Sequence, residues 1–427
     1  MHSQTYIHSD PLIESLPLSN ISRAMDDDEV VIIGAGICGL ATALALHRKG
    51  IKSVVMERSE SLRNVTGAAI GIQPNGWRAL DQLGVSENLR HTAVRLRRFR
   101  TLDISLGGGK QKEISLCDGE TRWLRRKDLI DTLYAELPPG AVKFGFQLES
   151  IKFDPYSSKP VLRFIDGSSI VAKVVIGCDG GKSIIAQFLG LKPTKIFPLC
   201  AVRGLTYYPN GHSYDYEFAK VMKDNISVGR VTIDDNLVYW FCFLPYIPKD
   251  EKVWEDPEVT RQLTLELLSN HPQEIHQEIH ELIENADMKS LSITHMRYRA
   301  PWDLLTGSFC KGTVMVSGDA MHVMGPFLAQ GGAAGIEDAV VLARIMAQLD
   351  LNSVESGSKV MAHKVEESFN QFVKQRRMRV VRLSLQTYII GMLSGTPSFI
   401  KKVIYIMLLV VLFPNPYNHV NYDCGDL

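Results

Sequence analysis

Residues 30–39 read VVIIGAGICG, and residues 53–57 read SVVME. An apolar strand runs into Gly34-x-Gly36-x-x-Gly39, a helix-forming stretch follows, and a second apolar strand ends on Glu57. Strand, glycine turn, helix, strand and an acid about 20 residues on form the fingerprint of a βαβ unit that binds an adenine dinucleotide. Gly34 allows the tight turn out of the strand, Gly36 lets the backbone approach a pyrophosphate, and Gly39 lets the helix pack closely on the sheet. The helix N-terminus presents unpaired N–H groups and partial positive charge to phosphates. Glu57 can accept hydrogen bonds from ribose hydroxyls, and its charge disfavours a 2′-phosphate. FAD or NAD therefore suits the site and NADP does not. Ala35, inside the turn, and Arg58, beside the acid, belong to the same surface.

The helix continues through GLATALALHRK (39–49) and stops at Gly50. Residues 67–76 (GAAIGIQPNG) form a glycine-rich entry to a helix on WRALDQLG, and Arg126-Lys127-Asp128-Leu129 opens another that ends at Pro138-Pro139-Gly140. Residues 142–176 alternate as strands, with a hairpin turn at Asp166-Gly167. From about 200 to 245 aromatic residues dominate, among them Tyr216, Phe218, Tyr239, Trp240, Phe241 and Phe243. Their alternation and the intervening turns predict a mainly antiparallel sheet, one face of which could line a pocket. Residues 256–290 read as an acidic helical connection, VMVSG (314–318) as a strand returning to the first domain, and about 333–349 and 360–390 as helices. The expected class is α/β: a Rossmann-like dinucleotide domain with an inserted, mainly antiparallel β-sheet substrate domain and C-terminal helices. The expected division is a disordered arm at 1–28, a discontinuous cofactor domain at 29–195 and 296–350, a substrate-binding sheet at 196–295, and a helical region at 351–427.

The 427 residues carry 47 Lys plus Arg against 47 Asp plus Glu, and 45% are hydrophobic, which is ordinary globular composition with material for a large core. Balanced charge argues against nucleic-acid binding. Seven scattered cysteines form no C-x-x-C pair, so neither a zinc site nor a thioredoxin-type motif is expected, and no metal is. They read as small core residues in a reducing compartment. The N-terminal arm has Arg23 as its one Lys or Arg and lacks the apolar core of a secretory signal. The expected location is the cytoplasm, with the chloroplast or a membrane face as alternatives. Val403–Phe413, flanked by Lys401 and Lys402, is too short to span a bilayer, which needs about 20 residues. It is expected to dock on the core, with peripheral membrane contact as the alternative.

Two further glycine–acid motifs lie at strand ends: Ile176-Gly177-Cys178-Asp179-Gly180 and Gly318-Asp319-Ala320-Met321-His322. The second runs on through VMGPFLAQGGAAGIEDA. Ends of parallel strands are where α/β proteins bind ligands, and carboxylates there can meet ribose or ribityl hydroxyls. Gln330-Gly331-Gly332 leads into a helix whose N–H groups suit an electron-rich centre. Gly181-Lys182-Ser183 mimics the end of a P-loop, but Ile176 stands where its first glycine is required.

GxGxxG near the start, DG in the middle, and GD followed by a Pro-containing glycine loop resemble the ordered motifs of the class A FAD-dependent monooxygenases, the family with the para-hydroxybenzoate hydroxylase fold. GDAMH, EDAVVLAR (337–344) and YDCGDL (422–427) resemble the plant zeaxanthin-epoxidase-like group. The similarity covers about residues 29–427. It implies that Gly34, Ala35, Gly36, Gly39, Glu57 and Arg58 bind the ADP half of FAD, and that Arg126 contacts the flavin side. Gly318 and Asp319 would hold the ribityl–pyrophosphate region, and Asp179 and Gly180 would support FAD and a transient NADPH or NADH site. Pro326, Gln330, Gly331 and Gly332 would position the isoalloxazine. No side chain is expected to be catalytic. The implied cycle consumes NAD(P)H and O₂ and passes one oxygen, through a C4a-hydroperoxyflavin, to an electron-rich aromatic or olefinic molecule by hydroxylation or epoxidation. Arg203, Tyr216 and Phe327 are the candidate pocket residues. The family usually has glycine where Ala329 stands, which costs roughly 1 kcal/mol if φ is positive there. The alternatives are an FAD-dependent oxidase or dehydrogenase without oxygen insertion, and a flavin-binding regulatory protein that has lost turnover. Flavin halogenation is disfavoured, because Trp240-Phe-Cys242-Phe-Leu244-Pro245 lacks the second tryptophan of that signature.

Overall fold

The computed structural model describes residues 30–62, 69–104, 110–115, 120–245, 248–249, 252–269, 273–349 and 359–427. The N-terminal arm expected to be disordered lies outside them.

Val30–Ile33 sits inside a six-stranded sheet, parallel to Ser53–Met56 on one side and Val174–Gly177 on the other. Val314–Val316 adds in parallel beyond Val174–Gly177, Val142–Lys143 closes the far side, and Cys310–Lys311 is the one antiparallel strand, at the edge. All four residues of Val30–Ile33 are buried, as expected of a parallel strand covered on both faces. The Ile37–Arg48 and Gly331–Met346 helices pack together over this sheet, and small residues permit the approach: a Cβ on Gly335 would lie 3.1 Å from the Cys38 Cβ. The hairpin expected at Asp166-Gly167 joins Pro160–Phe164 to Ser169–Val171, with Gly167 at φ 84°.

The second half is a seven-stranded sheet in the order Ser292–Tyr298, Lys195–Tyr207, Leu237–Leu244, Ile226–Asp234, Glu217–Lys223, Arg98–Asp103, Lys110–Ser115. Every pairing is antiparallel except that of Glu217–Lys223 with Arg98–Asp103. The two strands at one edge, Arg98–Asp103 and Lys110–Ser115, come from within the stretch that sequence assigned to the cofactor domain, and Ser292–Tyr298, at the other edge, crosses the 295/296 boundary. The sheet thus takes in strands that carry little of the aromatic texture that marked residues 200–245. The period of two sorts the side chains. Val238, Trp240, Cys242 and Leu244 face a core shared with Leu268, Ile279, Leu282 and Ile283. The expected acidic connection is therefore two helices, Pro257–Ser269 and Gln273–Glu284, that cover one face of the sheet. Leu237, Tyr239 and Phe241 turn to the opposite face.

A 37-residue helix, Lys359–Gly395, spans about 55 Å and ties the halves together. Its first half packs Val365, Phe369 and Phe372 into the cofactor-domain core, and its last turns bring Tyr388 and Met392 to the sheet. The following helix, Phe399–Leu412, does not dock in the core as expected. None of its residues is buried, because the long helix offers it only a narrow stripe of contact at Lys402, Tyr405 and Leu409. No helix among the described residues is long and apolar enough to cross a membrane. The final stretch folds back over the cofactor domain. Arg78 donates to the Val420 and Tyr422 carbonyls, Arg344 to those of Cys424 and Asp426, and Lys49 to that of Leu427.

Candidate functional site

The ends of three neighbouring parallel strands, Val30–Ile33, Ser53–Met56 and Val174–Gly177, open on one cleft of about 280 Å³. Gly34, Ala35, Gly36, Glu57, Arg58, Arg126, Asp179 and Gly180, all singled out from sequence, line it. Gly34 leaves the strand at φ 101° and donates to the Met56 carbonyl at 2.8 Å. Glu57 accepts from the Ala35 N–H at 2.8 Å and the Ser59 N–H at 3.0 Å, which fixes the carboxylate beside the turn. The glycines separate by what each one spares. A Cβ on Gly39 would lie 1.9 Å from the Gly34 carbonyl oxygen, so this glycine serves the fold. A Cβ on Gly36 would meet no protein atom within 4 Å, and φ is an ordinary −77°. The protein itself gives no reason for glycine at 36, whereas a ligand pressed on the helix start does. Asp179 accepts from the Ile184 N–H at 2.7 Å through one oxygen, while the other is buried and unpartnered. Burial pushes this carboxyl above its usual range despite those hydrogen bonds. An open helix start, an orphaned carboxylate oxygen and a carboxylate poised for ribose hydroxyls fit the ADP half of a flavin dinucleotide.

The second glycine–acid motif lies alongside. Gly318 turns at φ 58° where a Cβ would strike the Cys38 Sγ at 2.7 Å, and Asp319 starts a short helix. The Asp319 side chain is open to solvent yet closely ringed by protein. That crowding raises its pKa, and the charges of His322 and Arg126 oppose the rise. A Cβ on Gly331 would lie 3.9 Å from Asp319 Oδ1, so the start of the Gly331–Met346 helix and this carboxylate face a shared space. Gly332 spares Ile70, whose Cδ1 would lie 2.6 Å from a Cβ. Pro326–Leu328 is a 3₁₀ turn, and Ala329 follows in the left-handed region at φ 53°, ψ 34°.

Gln330 is fully buried and pinned from two sides. Its amide nitrogen donates to Gln73 Oε1 at 2.6 Å, and its oxygen accepts from Asn75 Nδ2 at 2.8 Å. Asn75 also donates to Glu337 at 2.7 Å. Glu337 pairs with Arg376 at 2.7 Å and Arg379 at 2.9 Å; Asp338 pairs with Arg376 at 2.6 Å and His322 at 2.7 Å and accepts from the Gly318 N–H at 3.0 Å. Burial works to raise both carboxyls, but Arg376 with Arg379 for Glu337, and His322 with Arg376 for Asp338, outweigh it and hold both below the ordinary range. His322 is thus tied to the loop that carries Asp319. Sequence reasoning noted EDAVVLAR but missed the network. The signal was two adjacent acids in an otherwise apolar helix, which need cations, and QRRMRVVR (375–382) supplies them.

Across from the loop stands the aromatic face of the sheet. Rings run from Trp123 over Tyr239 (5.7 Å between centroids), and from Phe241 to Phe243 (5.0 Å), Phe327 (5.6 Å) and Phe197 (5.5 Å). Phe327 thus joins the flavin-loop segment to the sheet. Arg203 donates to Thr294 Oγ1 at 3.2 Å and keeps a buried, unpartnered Nε. Tyr216 is not brought to Phe327. Its hydroxyl donates to Asp235 and its ring lies 5.7 Å from the Arg97 guanidinium. Trp123 lies outside the aromatic-rich segment, in RWLRR (122–126), where arginines mask its aromatic signal.

A family model described as FAD binding domain matches residues 27–351. Monooxygenase 1 of Arabidopsis thaliana is 42% identical over 94% of this chain and 100% of its own length. Monooxygenase 2 of the same plant is 31% identical over 93% of this chain and 98% of its own. Among solved structures, HpxO of Klebsiella pneumoniae complexed with FAD and uric acid superposes with a TM-score of 0.73 at 22% identity, covering 93% of this chain and 96% of that one. The chain belongs to the FAD-binding-domain family of class A flavin monooxygenases, and it is an FAD-dependent monooxygenase.

Proposed function

We propose that this enzyme takes electrons from NADPH or NADH and inserts one atom of O₂ into an electron-rich, largely apolar aromatic or olefinic molecule held between the flavin loop and the aromatic face of the sheet. The observation that carries this reading is Phe327, which packs on Phe243 and Phe197 only a few residues from the loop helix at Gly331. Bound FAD supplies the redox chemistry, from reduction through O₂ activation to oxygen transfer. The chain's residues bind, orient and shield. The open N–H groups at the start of the Ile37–Arg48 helix, from Gly36 on, take the pyrophosphate, Glu57 the adenosine ribose, and Asp179 with Arg126 the middle of the cofactor. Asp319 takes the ribityl chain. The N-terminus of the Gly331–Met346 helix lies where negative charge on a reduced flavin is favoured. Gln330, fixed by Gln73 and Asn75, holds that helix start in place. The ring wall excludes water, and the unpaired Arg203 Nε is a donor for a substrate oxygen. Ring plus acceptor oxygen describes a phenolic or similarly oxygenated substrate, and HpxO binding uric acid supports a small, electron-rich ring.

The test is turnover of purified, yellow protein with NADPH or NADH, isotopically labelled O₂ and a panel of phenolic and olefinic compounds, read by mass spectrometry. A product carrying one labelled oxygen is expected. Reductant consumption that yields peroxide with every compound, and no labelled product, would support the oxidase alternative. Phe327→Ala is expected to shift the preferred compound while FAD stays bound; loss of FAD would overturn the pocket assignment.

A further inference from the structure

The Phe399–Leu412 helix leaves ten large apolar side chains exposed, Phe399 at 74% and Val411 at 73% among them. Past Lys402 the helix carries no charged residue. Residues Lys402, Tyr405 and Leu409 form its inner stripe. At 100° per residue the exposed side chains cover roughly two-thirds of the circumference. A second protein surface needs one stripe of such a helix, whereas acyl chains can solvate every outward side. At about 1.5 Å per residue its 14 residues span about 21 Å, short of the roughly 30 Å hydrocarbon core. Lys401 is exposed at the N-terminal end, and Phe399–Leu412 contains no Asp or Glu. The flank is completed by Trp302, 45% exposed, with the Lys195 ammonium 5.2 Å from its ring, and by Tyr388 edge-on to Trp302 at 5.4 Å. Tryptophan, tyrosine and lysine beside an apolar surface are the composition of a membrane interface.

We propose that this helix is a monotopic membrane anchor that lies in one leaflet of a bilayer bearing anionic headgroups, with Lys401 and Lys195 at the headgroup level. The inner stripe of the helix, opposite the anchored face, leads toward the aromatic wall. Tyr405 on the inner stripe neighbours Tyr298 and Tyr388, and the Tyr298 ring lies tilted 4.3 Å from that of Phe197, which meets Phe327 edge-on.

The test is flotation of the full-length, FAD-loaded protein with phosphatidylcholine vesicles, with and without phosphatidylglycerol, alongside light scattering in vesicle-free buffer. The wild type should float with both kinds of vesicle and more completely with the anionic ones. Val410→Asp with Val411→Asp should lower the bound fraction at least about tenfold, since an aspartate in the apolar region is strongly disfavoured, with the flavin spectrum and FAD-to-protein ratio unchanged. Lys401→Glu should weaken binding to anionic vesicles about fivefold or more and leave neutral vesicles nearly unaffected. A wild type that stays in the aqueous fraction with both vesicles would overturn the proposal. So would a wild-type dimer that becomes monomeric in the double variant while neither binds lipid, which would assign the face to a second copy of the chain.

Discussion

Alanine at position 36 and alanine at position 39 add the same methyl group three residues apart, and the structure requires opposite consequences. At Gly39 the new carbon would sit 1.9 Å from the Gly34 carbonyl oxygen, where real contacts stop near 3.0 Å, and both sides of the clash are backbone. Relief needs the helix to move off the strand, so Gly39→Ala should cost about 3 kcal/mol or more, the upper end of overpacking penalties. At Gly36 the carbon meets nothing within 4 Å, and the backbone is already one an alanine adopts. Stability of the flavin-free protein should change by less than about 1 kcal/mol, glycine being the somewhat better cap. The added methyl points into the cleft, so the bound pyrophosphate takes the clash. A penalty of about 3 kcal/mol corresponds to a rise in Kd of roughly a hundredfold. Flavin-free protein would be melted by circular dichroism, and FAD titrated by flavin fluorescence. Gly36→Ala should melt with the wild type and bind FAD weakly. If it binds FAD with wild-type affinity, the cleft is not where the pyrophosphate sits. If it melts as low as Gly39→Ala, the division between a ligand glycine and a fold glycine is wrong.

Ala329→Gly removes an L residue from the left-handed region, worth about 1–2 kcal/mol, against roughly 0.5–1 kcal/mol of extra unfolded-state freedom. The denaturation midpoint should rise by the equivalent of about 0.5–1 kcal/mol, and a fall would refute strain at this residue. Asp338→Asn leaves the buried Arg376 short of a charge partner and should cost about 3–5 kcal/mol in denaturant titration; a loss under about 1 kcal/mol would mean the network is not coupled as drawn. His419, bonded to Gln73 at 3.0 Å, has its pKa lowered to about 4, chiefly by burial. Its folded value lies below its unfolded value of about 6.5, so its share of stability is complete above pH 6.5 and lost as pH falls toward 4. Replacing it by glutamine should flatten the stability profile in that window, and an unchanged slope would refute the assignment. The depressed carboxyls of Glu337 and Asp338 add a further loss at lower pH, setting in below about pH 4.

The cofactor half was legible because its signals are local. A glycine turn, an acid about 20 residues later and a strand-end Gly-x-Asp-Gly each fit inside a few residues, and Gly34, Gly36, Glu57, Asp179 and Gly180 from them line one cleft. What sequence left hidden depends on distant residues meeting. Arg98–Asp103 joins the substrate sheet through a parallel pairing with Glu217–Lys223, more than a hundred positions away, and nothing in RFRTLD announces it. The charged network is set by a helix crossing that brings Arg376 to Asp338. Tyr216 was chosen for its aromatic character, but its polar end decided its place, beside Asp235. The Phe399–Leu412 helix shows the converse. Its apolar run was plain, yet hydrophobicity alone does not say whether a helix is covered by protein, and only the packing leaves it outside.

The returning C-terminal stretch has a consequence for biogenesis. Leu427 is held by Lys49 through its carbonyl and by Gln82 through its N–H, and the Tyr422 ring lies 4.4 Å from the Arg379 guanidinium, whose far side binds the acid under the flavin loop. The nucleotide turn at residues 34–39 emerges early from the ribosome, but these clasps close only when residue 427 has left the exit tunnel. The cofactor domain is therefore completed only long after its nucleotide turn is made. A chain cut before residue 420 would keep the whole dinucleotide motif while lacking the latch that steadies the domain around it.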